Sequence, residues 1–133
     1  CLKTHVVDHS NKADLVVFGE AYNQYFDIII EDGSHMSADS ILTFETLFPY
    51  LKSGGFYCIE DMLCDYDPRW NKGVSSLDRV RQMVGEVNMD GLVSNDAICA
   101  NKIEAVKKYA GTYFENNIEF IFVSMGLCII KKI

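Results

Sequence analysis

The sequence predicts an α/β fold, and the middle of the chain carries the pattern on which that prediction rests. Residues 26–30 form a short, mostly β-branched apolar run that stops at Glu31-Asp32-Gly33. From Ser37 to Leu51 apolar residues recur at spacings of three and four, which is the period of an amphipathic helix. A second apolar run, residues 56–59, stops at Glu60-Asp61. Strand, helix and strand therefore follow one another.

These three elements predict a parallel pair of strands. Residues 26–30 are almost continuously apolar, so we expect this strand to be buried on both faces of the sheet. Ser37 is placed to cap the first turn of the helix that follows. A helix between two such strands makes a right-handed crossover, so both strands should end at the same edge of the sheet.

The remaining elements are predicted from the same helical and strand periodicities. The length of 133 residues, with no linker rich in Pro, Ser or Gly, indicates one domain. In chain order we expect a strand at Thr4–Val7 that ends at Asp8, helices at Lys12–Tyr22, Ser75–Val87 and Lys102–Tyr113, and a closing hairpin of Ile118–Val123 and Leu127–Ile130.

Composition excludes several classes of function. There are 12 Lys and Arg residues against 19 Asp and Glu, a net charge of −7, so the chain lacks the basic face of a nucleic-acid-binding protein. The longest uncharged run, residues 120–130, is too short for a bilayer span, which needs roughly 20 residues. The first residues have no secretory signal features, and the 5 cysteines form no CxxC pair. We therefore expect reduced thiols, a cytoplasmic location and neither nucleic-acid nor membrane partners.

An acidic pair follows each of the two central strands. Neighbouring strands lie about 4.8 Å apart, so these carboxylates should converge. Two unit charges at 4 Å repel by roughly 4 kcal/mol at an effective dielectric constant of about 20. A shared proton, a basic side chain or a bound cation could offset this repulsion, and the nearest lysine in sequence, Lys52, belongs to the opposite end of the second strand. Alternatively, some of these acids cap helices or face water.

A cation is the preferred explanation because of the type of ligand available. Asp32, Glu60 and Asp61 offer hard oxygen atoms, which suit Mg²⁺, Mn²⁺ or Ca²⁺ and disfavour zinc. His35 lies on the loop at the same edge, and Gly33 allows the backbone there to turn sharply or approach a ligand closely. Histidine can accept a proton near neutral pH, so His35 is a candidate general base. The alternative is a loop histidine that caps the next helix.

Other residues offer weaker signals. His5 and His9 have no comparable context, and we expect them to be structural or exposed. No two glycines have the GxG spacing of a dinucleotide-binding loop, which argues against a nicotinamide-dependent or P-loop enzyme contained within these residues.

Two stretches of the sequence resemble one enzyme family. Residues 26–35 read Phe-Asp-Ile-Ile-Ile-Glu-Asp-Gly-Ser-His, and residues 44–61 read Phe-Glu-Thr-Leu-Phe-Pro-Tyr-Leu-Lys-Ser-Gly-Gly-Phe-Tyr-Cys-Ile-Glu-Asp. They resemble the metal-dependent sugar O-methyltransferases of macrolide and related glycosides, a branch of the class I S-adenosylmethionine-dependent methyltransferases. The resemblance implies the C-terminal part of a Rossmann-like fold, with a mostly parallel sheet and a C-terminal antiparallel hairpin.

The resemblance also implies roles for particular residues. Asp32, Glu60 and Asp61 would bind Mg²⁺ or another divalent cation, and His35 would deprotonate a hydroxyl of a small-molecule sugar or glycoside. Asp8, together with Asp32, would contact the S-adenosylmethionine cofactor.

The sequence departs from the family pattern in the acceptor loop and at the front. Tyr66 and Trp70 would line the acceptor pocket, or else pack in an ordinary way. The acceptor's identity stays open, because Glu31 stands where a second Asp is usual and Met62-Leu63-Cys64 replace the usual Thr and Ser.

The family's first strand and glycine-rich cofactor loop do not appear before Leu2, so we expect residues 1–133 to form a single partial domain. An unpaired strand edge would then favour association, for example as a homo-oligomer. Two other functions stay open at this point. One is a non-catalytic remnant or assembly module of the same fold, and the other is a metal-dependent hydroxylase or hydrolase.

Overall fold

A computed structural model describes residues 2–94 and 112–133, with the side chains of residues 88–94 left out. The helix predicted at Lys102–Tyr113 lies largely outside the described residues. Short 3-10 turns cover Phe48–Tyr50 and Met62–Tyr66. The described helices and strands are α1 (Lys12–Ala21), α2 (Ser37–Leu47), α3 (Pro68–Asn71), α4 (Ser76–Ser94), β1 (Ile28–Glu31), β2 (Phe56–Ile59), β3 (Ile118–Ser124) and β4 (Leu127–Lys132).

The described strands form one mixed sheet in the order β1-β2-β4-β3. β1 and β2 are parallel, with Ile28 opposite Phe56 and Glu31 opposite Ile59. β4 is antiparallel to both β2 and β3. A two-residue turn joins β3 to β4, and Gly126 supplies its left-handed backbone, with φ of 76°. The α/β class and the closing hairpin are confirmed, and the parallel pairing in this part of the sheet is between β1 and β2.

The hydrophobic core lies between the helices and one face of the sheet. Phe44 of α2 is at its centre, with its ring centroid 5.2 Å from those of Phe48, Tyr57 and Phe114. Inward-facing positions alternate along β2 and β4, as expected for strands covered on one face. The buried apolar side chains are Leu15, Phe44, Leu47, Phe48, Leu51, Tyr57, Ile59, Met62, Val80, Met83, Ile118, Cys128 and Ile130.

The prediction that the first central strand is buried on both faces is wrong for the described residues. Ile28 and Ile30 are 56% and 60% exposed, whereas Glu31 is buried. β1 is an edge strand of the described sheet, and the described helical core packs on the opposite face from Ile28 and Ile30. The apolar run therefore carries one buried face and one open face.

Thr4–Val7 is not a strand, contrary to the prediction. Residues 2–7 have no regular secondary structure, and no described strand lies beside them to share backbone hydrogen bonds. The segment instead contacts the C-terminal end of α1, where the hydroxyl of the C-cap residue Tyr22 lies 2.7 Å from His5 Nε2. A strand requires a neighbour, and apolar composition alone does not supply one.

The predicted capping role of Ser37 is also wrong. The N-cap of α2 is Met36, which makes no side-chain capping bond, and the Met36 amide donates to the Ser34 hydroxyl at 3.2 Å. The Ser34 hydroxyl in turn donates to Asp39 at 2.7 Å. Ser37 is buried, and its hydroxyl donates to Asp65 instead. The Ser37 hydroxyl, predicted from the local sequence to cap the helix, therefore donates to a buried carboxylate that is distant in sequence.

The described cysteines are free thiols, as expected. They are Cys58, Cys64 and Cys128. Burial, followed by the proximity of Cys58, raises the pKa of the Cys128 thiol to about 12, so this side chain behaves as a small apolar group at neutral pH. Among the described helices, none combines the length and apolar character needed to cross a bilayer.

Phe44→Ala tests the position of the core. Because Phe44 is 1% exposed and contacts three other rings, its truncation leaves a cavity. We expect the free energy of unfolding to fall by about 3–5 kcal/mol in urea denaturation. Val17→Ala on α1 is the control, since Val17 is 67% exposed, and it should change stability by no more than about 0.5 kcal/mol. Equal effects of the two substitutions would contradict this description of the core.

Candidate metal and catalytic site

The loops that follow β1 and β2 lie side by side at one edge of the sheet. The parallel register continues beyond the strands, because the Glu60 amide donates to the Glu31 carbonyl oxygen at 3.0 Å. The first loop carries Asp32 and His35, and the second carries Asp61. The expected convergence of the strand ends is therefore present in the structure.

Asp32, His35 and Asp61 form a cluster at this edge. One donor atom from each lies within 4.8 Å of the others. His35 Nδ1 is 3.9 Å from Asp32 Oδ1, and His35 Nε2 is 3.6 Å from Asp61 Oδ2. The imidazole is 29% exposed, while the two carboxylate side chains are 56% and 60% exposed. The cluster is thus open to solvent on the carboxylate side and partly enclosed around the imidazole.

The backbone at two of these residues adopts a sparsely populated conformation. His35 has φ of 57° and Asp61 has φ of 51°, both in the left-handed region. His, Asp and Asn are the non-glycine residues that tolerate this region best. Left-handed residues often occur at functional sites, where surrounding structure holds them in place. Asn is therefore a suitable replacement at both positions, because it changes the side-chain chemistry without demanding a new backbone.

Glu60 lies beside the cluster rather than within it. Strand alternation places it on the open face of the sheet, level with Asp32, and away from the buried Ile59. Burial, and after it the charge of Glu60, raises the pKa of the Cys58 thiol, which agrees with that placement. The Glu60 carboxylate is not one of the three donors that meet within 4.8 Å. Its predicted role as a metal ligand stays a prediction.

Gly33 allows close packing with His9, a residue whose role the sequence did not reveal. A Cβ atom at Gly33 would lie 2.4 Å from His9 Cε1. His9 Nε2 accepts the Ser34 amide proton at 3.3 Å, and His9 Nδ1 lies 3.7 Å from the buried carboxylate of Glu31. Of the two roles expected for His9, structural or exposed, these contacts favour the structural one, in which it contacts the loop that carries Asp32 and His35. No local sequence signal indicates this, because its partners lie far along the chain.

Asp8, predicted to contact the cofactor, precedes His9 and so lies near the same loop. Its exposed carboxylate accepts hydrogen bonds from the Ser10 amide at 2.9 Å and the Ser10 hydroxyl at 2.7 Å. The side-chain and then the backbone hydrogen bond from Ser10 lower the pKa of this carboxyl. Asp8 is thus an ionised acceptor on the N-terminal side of the site.

The two aromatic residues of the predicted acceptor loop differ in position. The Trp70 ring centroid lies 6.1 Å from that of His35, with the rings nearly perpendicular at 79°. Tyr66 is 73% exposed and projects from the 3-10 turn Met62–Tyr66. The structure therefore brings Trp70 to the cluster and leaves Tyr66 at the surface.

Asp65 is a buried carboxylate that sequence reasoning missed. It accepts hydrogen bonds from the hydroxyls of Ser37 at 2.6 Å and Ser75 at 2.5 Å, and from the amides of Ser76 at 2.9 Å and Leu77 at 3.3 Å. Burial opposes ionisation of this group, but these bonds outweigh it and lower the pKa of Asp65. Its partners come from α2 and the start of α4, so no local pattern could have indicated it.

The donor set of the cluster suits a divalent cation such as Mg²⁺. Lys52 pairs with Asp27 at 2.8 Å, at the other end of β1, so it does not neutralise the clustered acids. Two partly solvated carboxylates match the preference of Mg²⁺ for a few oxygen ligands together with several waters. The same carboxylate ligands are compatible with Mn²⁺ as well.

The sequence has relatives among sugar O-methyltransferases. It is 36% identical over 90 residues to L-olivosyl-oleandolide 3-O-methyltransferase of Streptomyces antibioticus, covering 59% of this chain and 23% of that protein. It is 40% identical over 91 residues to 8-demethyl-8-alpha-L-rhamnosyl tetracenomycin-C 2'-O-methyltransferase of Streptomyces olivaceus, covering 67% of this chain and 23% of that protein. This chain thus spans about a quarter of the length of these relatives. No protein-family model matches it.

The fold is similar to that of a solved methyltransferase. MycE methyltransferase from the mycinamycin biosynthetic pathway, in complex with Mg and SAH, superposes with a TM-score of 0.77 at 24% identity. The match covers 98% of this chain and 32% of the MycE chain. A complex of MycE with Mg, SAH and mycinamycin VI gives a TM-score of 0.75. At this identity the similarity bears on the fold, and it confirms the α/β architecture.

Asp65→Asn tests the buried carboxylate through the pH dependence of stability. An amide in place of one carboxylate oxygen opposes the surrounding donors, so we expect a loss of about 1–3 kcal/mol near neutral pH. The folded-state pKa of Asp65 lies below its ordinary value of 3.8, so its contribution is present above that value and is lost as the pH falls through the folded-state pKa. Urea denaturation at pH values from neutral down to below 3.8 checks this prediction. The difference in the free energy of unfolding between wild type and Asp65→Asn should become smaller as the pH falls. A difference independent of pH would contradict the prediction.

Proposed function

Because this chain belongs to the class I S-adenosylmethionine-dependent methyltransferases, we propose that its protein methylates a hydroxyl of a sugar or glycoside with the assistance of Mg²⁺. The observation that carries the proposal is the meeting of Asp32, His35 and Asp61 at the ends of two parallel strands. Two ligands for a hard cation and one group able to accept a proton are thereby placed at a single location.

Asp32 and Asp61 would bind the cation through carboxylate oxygens, and Glu60 would be a further ligand at the same edge of the sheet. A divalent cation bound there would make the acceptor hydroxyl more acidic and orient it. Both carboxylates are more than half exposed, which leaves room for water and for the acceptor. A bound cation would reduce the mutual repulsion of these carboxylates.

His35 would remove the proton from the acceptor hydroxyl. A carboxylate lies near each of its ring nitrogens, so an N–H on one nitrogen can be oriented while the other nitrogen accepts the proton. The Trp70 ring lies nearly perpendicular to the imidazole, with the two ring centroids 6.1 Å apart. The imidazole therefore lies between two carboxylates and beside an aromatic ring.

Asp8 and Asp32 are the residues that we assign to the cofactor. When bound, S-adenosylmethionine would supply the methyl group, whose carbon would bond to the acceptor oxygen as its bond to the sulfonium sulfur breaks, leaving S-adenosylhomocysteine. Asp8 offers an ionised carboxylate to hydroxyl or amine donors. In this proposal residues 1–133 are a partial domain that holds the metal ligands and the base but lacks the glycine-rich cofactor loop.

We assign the acceptor to the class of small-molecule glycosides. The names of the relatives give olivosyl and rhamnosyl compounds as their acceptors. The Trp70 ring lies beside the base, and Tyr66 lies exposed on the adjoining turn, so both are placed to contact the apolar face of a sugar ring.

Cation binding can be followed through Trp70, the 1 tryptophan of the chain. Because its ring lies 6.1 Å from that of His35, titration with Mg²⁺ or Mn²⁺ should change its fluorescence emission. Asp32→Asn and Asp61→Asn should weaken the apparent affinity by at least about 10–100-fold, the usual cost of losing even an outer partner of a metal site. Asp27→Asn is the matched control, because Asp27 precedes β1 whereas Asp32 follows it, and Asp27 pairs with Lys52. An absent response in wild type, or an equal one in all variants, would count against the proposal.

The role of His35 is tested by His35→Asn. Asn tolerates the left-handed backbone, so the fold should persist while proton removal is lost. In the whole protein to which this partial domain belongs, given a glycoside acceptor and S-adenosylmethionine, formation of S-adenosylhomocysteine should fall by about 10²–10⁴-fold. The response of Trp70 to Mg²⁺ should be reduced less than in Asp32→Asn. A variant that keeps the wild-type rate would exclude His35 as the base.

A further inference from the structure

The loop that carries His35 and the short helix α3 that carries Trp70 are joined through one buried residue, Asp65. On the His35 side, the hydroxyl of Ser37, two residues beyond, donates to Asp65 Oδ1 at 2.6 Å. On the Trp70 side, the side-chain amide of Asn71, the next residue, donates to the Asp65 carbonyl oxygen at 3.0 Å. Both segments of the site are therefore bonded to the same residue.

Asp65 is in turn anchored to the core of the protein. Ser75 and the amides of Ser76 and Leu77, at the start of α4, donate to its carboxylate. α4 contributes the buried side chains Val80 and Met83 to the hydrophobic core. The carboxylate is thus a fixed point rather than a mobile surface group.

The hydrogen bond to Ser37 has no ready replacement. Ser37 is 2% exposed and Asp65 is 8% exposed, so solvent does not readily supply another donor or acceptor. Bonds to an ionised carboxylate in such surroundings are stronger and more directional than neutral ones. The position of the first turn of α2, and of His35 just before it, therefore depends on this contact.

We propose that Asp65 is a positioning residue that sets the separation between His35 and Trp70, and hence the space in which the acceptor hydroxyl is presented to the base. The purpose of that separation rests on the proposed function, whereas the connection itself does not. Asp65 acts through Ser37 and Asn71, without contact with the reacting atoms.

A purely structural role for Asp65 at the start of α4 makes a different prediction. Ser37→Ala removes only the connection to α2, and the bonds from Ser75, Ser76 and Leu77 remain. If Asp65 serves α4 alone, this substitution should not alter the surroundings of Trp70. If Asp65 positions the site, it should alter them although Trp70 and Ser37 belong to different segments.

The experiment measures Trp70 emission and its quenching by acrylamide in the full chain. Ser37→Ala should shift the emission and increase quenching, with the helical circular dichroism retained, and Ser37→Thr, which keeps the hydroxyl, should restore both. Ser53→Ala is the matched control, because it removes an exposed hydroxyl that donates to the Ile133 carbonyl oxygen at 2.7 Å. Emission and quenching equal to wild type in Ser37→Ala would overturn the proposal.

A second measurement uses the wild-type chain and does not depend on any variant folding. The Asp39 amide, bonded to the Met36 carbonyl oxygen at 2.9 Å, and the Trp70 amide, bonded to the Asp67 carbonyl oxygen at 2.9 Å, should exchange with solvent at similar protection. Clearly different protection of the Asp39 and Trp70 amides would contradict the proposal that Asp65 anchors both segments. The two proposals can fail separately. If the wild-type chain shows no Mg²⁺ response while Ser37→Ala still alters the emission and quenching of Trp70, the proposed function is contradicted and this inference stands.

Discussion

The parallel pairing of β1 with β2 is the constraint on which the site depends. Parallel strands end at the same edge of a sheet, so the residues that follow them become neighbours. Asp32 and Asp61 are separated by a complete helix and strand in sequence, yet one donor atom from each lies within 4.8 Å of the other. An antiparallel pair would have placed them at opposite edges. The crossover helix α2 makes the parallel arrangement possible. Phe44 of this helix packs against Tyr57 of β2 and so stabilises the helix on the sheet.

This arrangement is energetically unfavourable in itself, so other interactions in the fold must stabilise it. Two carboxylates are held near each other, and His35 and Asp61 occupy left-handed backbone conformations. Such features are stable only where the surrounding structure determines them. Here the support comes from the apolar core beneath the sheet and from polar contacts on the loops. A bound cation would reduce the repulsion and so stabilise the folded chain as well as the site.

The loops are held from two directions by polar groups that take no direct part in the chemistry. His9 accepts the Ser34 amide proton on one side of His35, and Asp65 accepts the Ser37 hydroxyl proton on the other. The loop between them is short and carries the candidate base. This arrangement is common in α/β proteins, in which a rigid sheet positions the loops and the loops contain the binding and catalytic residues.

The sequence by itself determined the elements whose signal is local. Hydrophobic periodicity placed α2, β2 and the closing hairpin, and the acidic residues after the strands indicated where the site would form. Only the tertiary structure decided which strand faces are covered, that Thr4–Val7 lacks a strand partner, and that Ser37 bonds to Asp65 instead of capping its helix. The physical reason is that periodicity is a property of neighbouring residues, whereas burial, strand pairing and the partner of a buried hydroxyl depend on groups far away along the chain.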